Sequence, residues 1–416
     1  MRVVVLGAGI VGVTTAYRLL KDGHQVTVID RATGPGQITS FANAGLVAPG
    51  HAYAWASPAA PKMMWRSLWQ GDQAIRFKPR ASLAQWRWVL AFLRQCTKQR
   101  TQANTAVKAN LCRYARAELQ KTVAETGIAY DANAGGLIYF YRTAAAFAAA
   151  ARKSQMLRAQ GIAIETRSQA EVVALDPGLA TCADVIQGAL YAPDDESGDA
   201  YLFSKALAEY CTARGVSFQY DTVIRRLRAQ NGSMTGVETD KGLVTADAYV
   251  LCLGVDSPAL ASPLGIKLPI YPVRGYSVTL PITDFETAPR LGGVDEENLL
   301  AYCPMGDRLR LTATAEISGY STASTPANFA PMLARAQKLF GHCADFSRAE
   351  YWVGLRPMTP TGVPIVDRAP LANLWLNTGH GHMGWTMSNG CAQIVADMIA
   401  GRAPEIDIKG LRYEQN

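Results

Sequence analysis

Apolar residues fall along this chain in two rhythms. Short runs dense in β-branched side chains predict buried strands, and longer stretches with apolar positions three and four apart predict helices. Residues 2–6 form such a run, and residues 14–21 follow as a helix with Ala16, Leu19 and Leu20 on its inner face. Gly23 ends that helix and residues 25–29 make a second strand. Further strands are expected at 135–140, 216–220, 248–254, 270–280, 308–314 and 375–377. Helices are expected over a long region ending near Gly127, at 144–160, at 201–214 and at 388–399. Residues 34–61, with Pro35, Pro49, Pro58 and Pro61, read as loop. The mixture is α/β, without an internal repeat, and late segments are expected to complete the first unit.

Between the first strand and the first helix stands Gly7-Ala8-Gly9-Ile10-Val11-Gly12, and Asp30 closes the second strand. Gly7 permits the tight turn, Gly9 lets backbone approach a pyrophosphate, and Gly12 lets helix pack close to strand. The helix N-terminus offers amide donors and a positive dipole end to phosphates. Asp30 stands 18 residues after Gly12, placed to accept hydrogen bonds from ribose hydroxyls. Strand, glycines, helix and acid in register predict an ADP-containing dinucleotide, and leave FAD and NAD both open.

Composition narrows the class. With 416 residues, 49% hydrophobic and 18% charged, the chain is globular and long enough for two or three domains. Its net charge of +7 is local. Residues 62–100 hold nine basic side chains against Asp72 alone, a balance of +8, which leaves −1 for the rest. Four of the eight tryptophans, Trp65, Trp69, Trp86 and Trp88, lie in the same stretch. Two readings fit it: a surface in the headgroup region of an anionic membrane, or a surface hairpin with tryptophans in the core. No reader motif accompanies the charge, so nucleic acid is not an expected partner. The eight cysteines are at least 16 residues apart, which offers no zinc or redox pair. No metal site is expected, and buried thiols in a reducing compartment are. No uncharged apolar run reaches the length of a membrane span.

Further segments are distinctive. They are Thr39-Ser40-Phe41-Ala42-Asn43-Ala44-Gly45, Pro193-Asp194-Asp195-Glu196-Ser197-Gly198-Asp199 and Tyr271-Pro272-Val273-Arg274-Gly275-Tyr276-Ser277. Gly354-Leu355-Arg356-Pro357-Met358-Thr359-Pro360 and Asn377-Thr378-Gly379-His380-Gly381 with Gly384-Trp385-Thr386-Met387 complete the set. Nearly end to end, the chain resembles the small subunit of flavin-dependent D-amino acid dehydrogenases, in the glycine/D-amino acid oxidase superfamily. That resemblance implies an FAD-binding Rossmann-like domain of the glutathione-reductase type, with a second α+β substrate domain inserted and a mixed β-sheet. The FAD domain is expected at 1–60, 196–258 and 350–416, and the substrate domain at 61–195 and 259–349.

The resemblance also implies non-covalent FAD. Val5, Gly7, Gly9, Ile10, Val11, Gly12, Asp30 and Arg31 would hold its ADP half, with Val223 near the adenine. Ser40, Asn43, Ala44, Gly45 and Leu46 would run along the pyrophosphate and flavin, and Cys252 and Gly254 would close the phosphate side. Gly354, Gly379, His380, Gly381, His382, Met383, Gly384, Trp385 and Thr386 would surround the flavin ring. Arg356 matches the superfamily's substrate-carboxylate arginine. The implied reaction takes D-amino acids to imino acids, which water converts to 2-oxo acids and ammonia. A hydride would pass from Cα to flavin N5, and electrons onward to a quinone or another respiratory acceptor. The implied location is cytoplasmic, peripheral on the inner face of the cytoplasmic membrane.

Residue chemistry adds roles to this frame. A planar guanidinium such as Arg356 forks onto a carboxylate with two parallel hydrogen bonds. Tyr276 and Tyr302 read either as carboxylate donors or as core aromatics. His51 and His382 read either as bases toward the substrate amine or as packing residues, and His380 as a shaper of backbone. Departures from the family pattern stand at Thr361, at His382 and Met383, and at His51, and bear on the preferred amino acid. The alternatives are an oxygen-using oxidase of glycine, sarcosine or D-proline, a flavin-binding subunit without catalysis, and an NAD-dependent Rossmann enzyme.

Overall fold

The computed structural model describes residues 1–69 and 75–414; Asp72, the acid within the basic stretch, lies outside them. Two large sheets position the site. The first grows around Arg2–Leu6, whose last four residues are buried. Gln25–Ile29 and Ala248–Leu251 flank it in parallel. Ser217–Gln219 extends one side, Leu374–Thr378 the other, and Ile365–Arg368 closes that edge antiparallel. A separate three-stranded meander, Ile224–Gln230, Ser233–Thr239 and Gly242–Val244, lies between this sheet's third and fourth strands in chain order.

Helices cover the first sheet. Ile10–Lys21 begins four residues before the expected span, because the glycine turn runs straight into helix at Gly9. Gly384–Ile399 likewise begins at a glycine, four residues early. These two pack with the long helix Lys98–Thr126. A buried ion pair joins them, Arg18 Nη2 to Glu118 Oε2 at 3.0 Å, and Thr122 donates to Asn389 Oδ1 at 2.9 Å. Each charge faces its counter-ion, and Arg18 Nη2 also donates to the Glu118 carbonyl and Thr122 Oγ1, which offsets the cost of burying the pair.

The second sheet is larger and mixed. Its order is Glu350–Met358, Tyr271–Pro281, Arg308–Ile317, Leu300–Met305, Gly292–Asp295, Leu137–Tyr141, Gly188–Ala192, Glu165–Ser168, with Ile75–Phe77 also pairing to Arg308–Ile317. One face packs on the helix Pro326–Phe340 through Phe329, Met332, Leu339 and Phe340.

Three expectations change. The strand Glu350–Met358 belongs to the second sheet, so a boundary at 350 does not follow the hydrogen bonding. The helix expected over 144–160 is two, Ala144–Lys153 and Gln155–Arg158. At the break, the Ser154 hydroxyl donates back to the Ala151 carbonyl, a local bond that competes with the helix ladder. Of the tryptophans at 62–100, Trp88 alone is in the core, while Trp65, Trp69 and Trp86 are exposed. All eight cysteines are unpaired, and seven are buried.

Candidate active site

A cleft of about 550 Å³ runs between the two sheets, from the Gly7 turn to Arg356. At its first end, Leu6 delivers the chain into Gly7, whose φ of +106° favours glycine. A Cβ there would stand 2.7 Å from the Cys252 carbonyl oxygen, and one on Gly12 only 1.8 Å from the Gly7 carbonyl oxygen. Gly9 is different. A Cβ there would meet Ser40 Oγ at 3.5 Å and nothing else within 4 Å, so the protein leaves open what a pyrophosphate would occupy. Asp30 locks the turn, accepting from Ala8 N at 2.6 Å and from Ala32 N at 2.8 Å. Each of its oxygens keeps a further lone pair. Ser40 Oγ accepts from Ile10 N at 3.1 Å, joining the 40–46 loop to the helix start. Arg31 pairs with Asp256 at 2.9 Å beside the half-exposed Val223.

The middle of the cleft is built by the 42–48 loop and the chain around 380. Thr386 ties them together, its Oγ1 accepting from Ala48 N at 3.1 Å. The helix starting at Gly384 has neither a side-chain cap nor an acid in its first turn, so its positive end is left free toward the cleft. His380 Nε2 and Trp385 Nε1 are buried without hydrogen-bond partners. Such orphaned polar atoms on a cleft wall call for a ligand. His382 stacks on Trp55, with ring centroids 5.6 Å apart. Burial, then the nearby charges of Lys108, Arg356 and His51, hold its pKa well below the usual imidazole range. Burial takes His380 to about 3. Both imidazoles are therefore neutral at pH 7.

At the far end stands Arg356. Its Nη1 donates to the Thr314 carbonyl at 3.0 Å, and its guanidinium lies over Gly275, where a Cβ would fall 2.5 Å from Nη2. Gly275 thus makes room for the fork. No carboxylate pairs with Arg356 among the described residues, and desolvation alone lowers its pKa to about 10. Thr314 holds φ at +63°, an unusual conformation for a β-branched residue, at the irregularity opposite Gly275 and Tyr276. A desolvated cation without a counter-ion, facing an open cleft, is a site for an anion.

The expected residues fall as follows. Gly7, Gly9, Ile10, Val11, Asp30, Arg31, Ser40, Asn43, Ala44, Leu46, Val223, Cys252 and Gly254 border the cleft. So do Gly354, His380, Gly381, His382, Met383, Gly384, Trp385 and Thr386, together with Arg356, Tyr276 and His51. Val5, Gly12, Gly45 and Gly379 stand behind the wall, where Gly12 underlies the Gly7 turn and a Cβ on Gly45 would meet Met305 at 2.0 Å. Tyr302 is a correction: it is fully buried against Phe140 and Phe340, away from the cleft. Tyr276 reaches the cleft's border, yet its ring packs edge-on to Phe329 and its hydroxyl lies 3.5 Å from Arg274. Gly275 faces Arg356, so the next residue along the strand points its side chain to the other face. Neither tyrosine is placed as a donor to a carboxylate on Arg356.

Sequence reasoning missed Trp55, Tyr139 and Thr314 in the walls, and Glu296 and Asp195 behind them. Asp195 stood in a quoted motif without a role. Glu296 lies in the acidic run 295–297, which reads as a solvated turn.

The cleft fits FAD on three observations: the opening at Gly9, the orphaned His380 and Trp385 nitrogens, and the free helix end at Gly384. The family model for DAO, FAD dependent oxidoreductase, matches residues 2–398. A D-amino acid dehydrogenase of Cereibacter sphaeroides is 45% identical over 415 residues, 100% of this chain and 95% of that one. Another, of Paramagnetospirillum magneticum, is 43% identical over 416 residues, covering 100% and 99%. Among solved structures, glycine oxidase from Geobacillus kaustophilus superposes with a TM-score of 0.76 at 21% identity, covering 100% of this chain and 99% of that one. L-proline dehydrogenase from P. horikoshii superposes at 0.75 and 16% identity, covering 99% and 96%. These structural likenesses speak to the fold.

Proposed function

The chain belongs to the DAO family of FAD dependent oxidoreductases, and on that premise we propose that its cleft oxidises D-amino acids to 2-oxo acids and ammonia. Bound FAD supplies the electron sink for the hydride leaving Cα. The protein's part is to hold the substrate and exclude water. One observation carries the reading: Arg356 is a desolvated guanidinium without an acid partner among the described residues, in the same cleft as the dinucleotide cradle. It forks onto the substrate carboxylate and fixes which face of Cα is presented. The free helix end at Gly384 favours negative charge at the flavin position. An anaerobic titration tests this. D-alanine is expected to bleach the flavin absorbance and L-alanine to leave it. Bleaching by glycine or sarcosine alone would favour the oxidase reading instead.

A membrane-borne acceptor such as a quinone suits the outer surface next to the cleft. Helix Ala60–Arg66, the turn after it and helix Leu83–Gln95 expose Trp65 and Trp69 at 66% each and Leu83 at 65%, along with Trp86 and Leu90. Lys62, Arg66, Arg87 and Arg94 stand exposed among them. Indole rings beside cations suit an anionic bilayer surface. Trp88, on the buried side, donates Nε1 to the Met358 carbonyl at 2.8 Å, and Met358 pairs with His380 in the cleft wall. This supports a peripheral position on the inner face of the cytoplasmic membrane. Among the described residues, no helix is long and apolar enough to cross a membrane. Anionic vesicles are expected to sediment with the native protein and to release a Trp65→Ser, Trp69→Ser variant. Equal binding by both would refute the surface.

A further inference from the structure

We propose that His51 and Glu296 form a dyad that takes a proton from the substrate's α-ammonium group. The inference rests on the D-amino acid reading above, and it assigns Glu296 a positioning role.

His51 ends the short turn Pro49–His51 and borders the cleft. Its Nε2 lies 2.8 Å from Glu296 Oε1, behind the cleft wall. The two atoms are not aligned as a hydrogen bond, but the carboxylate's charge at that distance favours a proton on Nε2 and leaves the Nδ1 lone pair free. Nδ1 has no protein partner among the described residues. The ring is held from two sides. Tyr139 stacks on it at 17° with centroids 5.2 Å apart, and Tyr53 meets it edge-on at 6.1 Å. Tyr139 is itself anchored, donating to Asp195 Oδ2 at 2.6 Å, and Asp195 also receives Gly50 N at 2.8 Å. One buried carboxyl therefore fixes both the turn that carries His51 and the ring beneath it.

The surrounding charges are consistent with that role. Burial is the largest single influence and would raise Glu296, but His51 and the charge of Lys153 together turn the net direction down, which favours an ionised Glu296 opposite the imidazole. Lys153 adds a cation on the Glu296 side, and Tyr53 and Tyr141 face the same carboxylate as neutral groups. Burial pushes Asp195 up to about 7, so its charge near His51 is only partial at neutral pH. His382, between the influences of Arg356 and His51, is neutral and leaves the proton to His51.

The step balances within these groups. An N–H bond of the ammonium breaks, the proton bonds to His51 Nδ1, and the electron pair stays on nitrogen. The imidazolium so formed is compensated by Glu296. A neutral amine then supports hydride departure from Cα.

The test compares native, His51→Asn and Glu296→Gln holoenzymes by the rate of anaerobic flavin bleaching with D-alanine. At pH 7, both variants are expected to keep bound flavin and to bleach about 100-fold more slowly than native. Above the free amine's own pKa, solution already supplies neutral amine, and the variant-to-native ratio is expected to return to within about threefold. Variants as fast as native at pH 7, or a deficit unchanged at high pH, would overturn the dyad. Should His51→Asn lose flavin, Glu296→Gln carries the test, because it leaves the Tyr139 stack in place. Native enzyme that D-amino acids do not bleach at all would overturn the broader reading and the dyad with it.

Discussion

Replacing Arg356 with Met separates what this residue does for catalysis from what it does for folding. Met keeps an unbranched stem of similar length and removes the charge. Two charge-assisted hydrogen bonds to a carboxylate are worth about 1.5–3 kcal/mol each, so about 3–6 kcal/mol of transition-state stabilisation is at stake. At about 1.36 kcal/mol per tenfold, kcat/KM for D-alanine falls by about 10² to 10⁴. Stability moves the other way. The guanidinium lies at about 10 instead of its ordinary 12.5, which corresponds to at most about 3 kcal/mol of unfavourable desolvation in the folded state, less where cleft water screens it. No buried acid is stranded by its removal, and only the Thr314 carbonyl loses a donor. The flavin-stripped variant is therefore expected to melt at or above the native temperature. Thermal unfolding of apoprotein and anaerobic flavin reduction measure the two halves. A melting temperature several degrees lower would show that the arginine serves the fold, and kcat/KM within tenfold of native would remove it from the substrate site.

Two further outcomes follow from single contacts. Gly12→Ala places a methyl 1.8 Å from the Gly7 carbonyl oxygen, so the turn must shift and the purified protein should carry little flavin; full flavin stoichiometry would contradict this. Asp195 sits at about 7 in the folded chain and near 4 when unfolded, so the folded state holds the extra proton between those values. Native stability should fall as pH rises from about 4 to about 7 and level off above, and Asp195→Asn should lack that slope. Melting temperatures of both proteins across this range check the sign.

The cofactor half of the site was legible because its residues are contiguous. Gly7, Gly9 and Gly12 sit in one turn, and Asp30 follows at the next strand end, so spacing alone brings them together. The substrate half depends on register between distant strands. Tyr139, Tyr276 and Tyr302 all lie on strands, and only pairing decides that Tyr139 borders the cleft while the rings of the other two enter the core. Glu350–Met358 is not among the strands the apolar pattern predicts, and it contains Gly354 and Pro357, residue types that strands disfavour. Pro357 lies opposite Pro272 near one end of the pairing, and Gly354 opposite Gly275, where the missing side chain makes room for Arg356. Trp86 and Trp88 differ by two residues on one helix and point to opposite environments, a phase that tryptophan counting does not reveal.

The first sheet interleaves strands from opposite ends of the chain. Arg2–Leu6 lies between Gln25–Ile29 and Ala248–Leu251, and Leu374–Thr378 comes next. A ribosome delivers these pieces in sequence order. The strand at 2–6 waits for its neighbour at 248–251, and residues 380–386 emerge after every other part of the cleft wall. Cofactor capture is therefore a late event, and a chain cut short before residue 374 lacks the wall that completes the cradle.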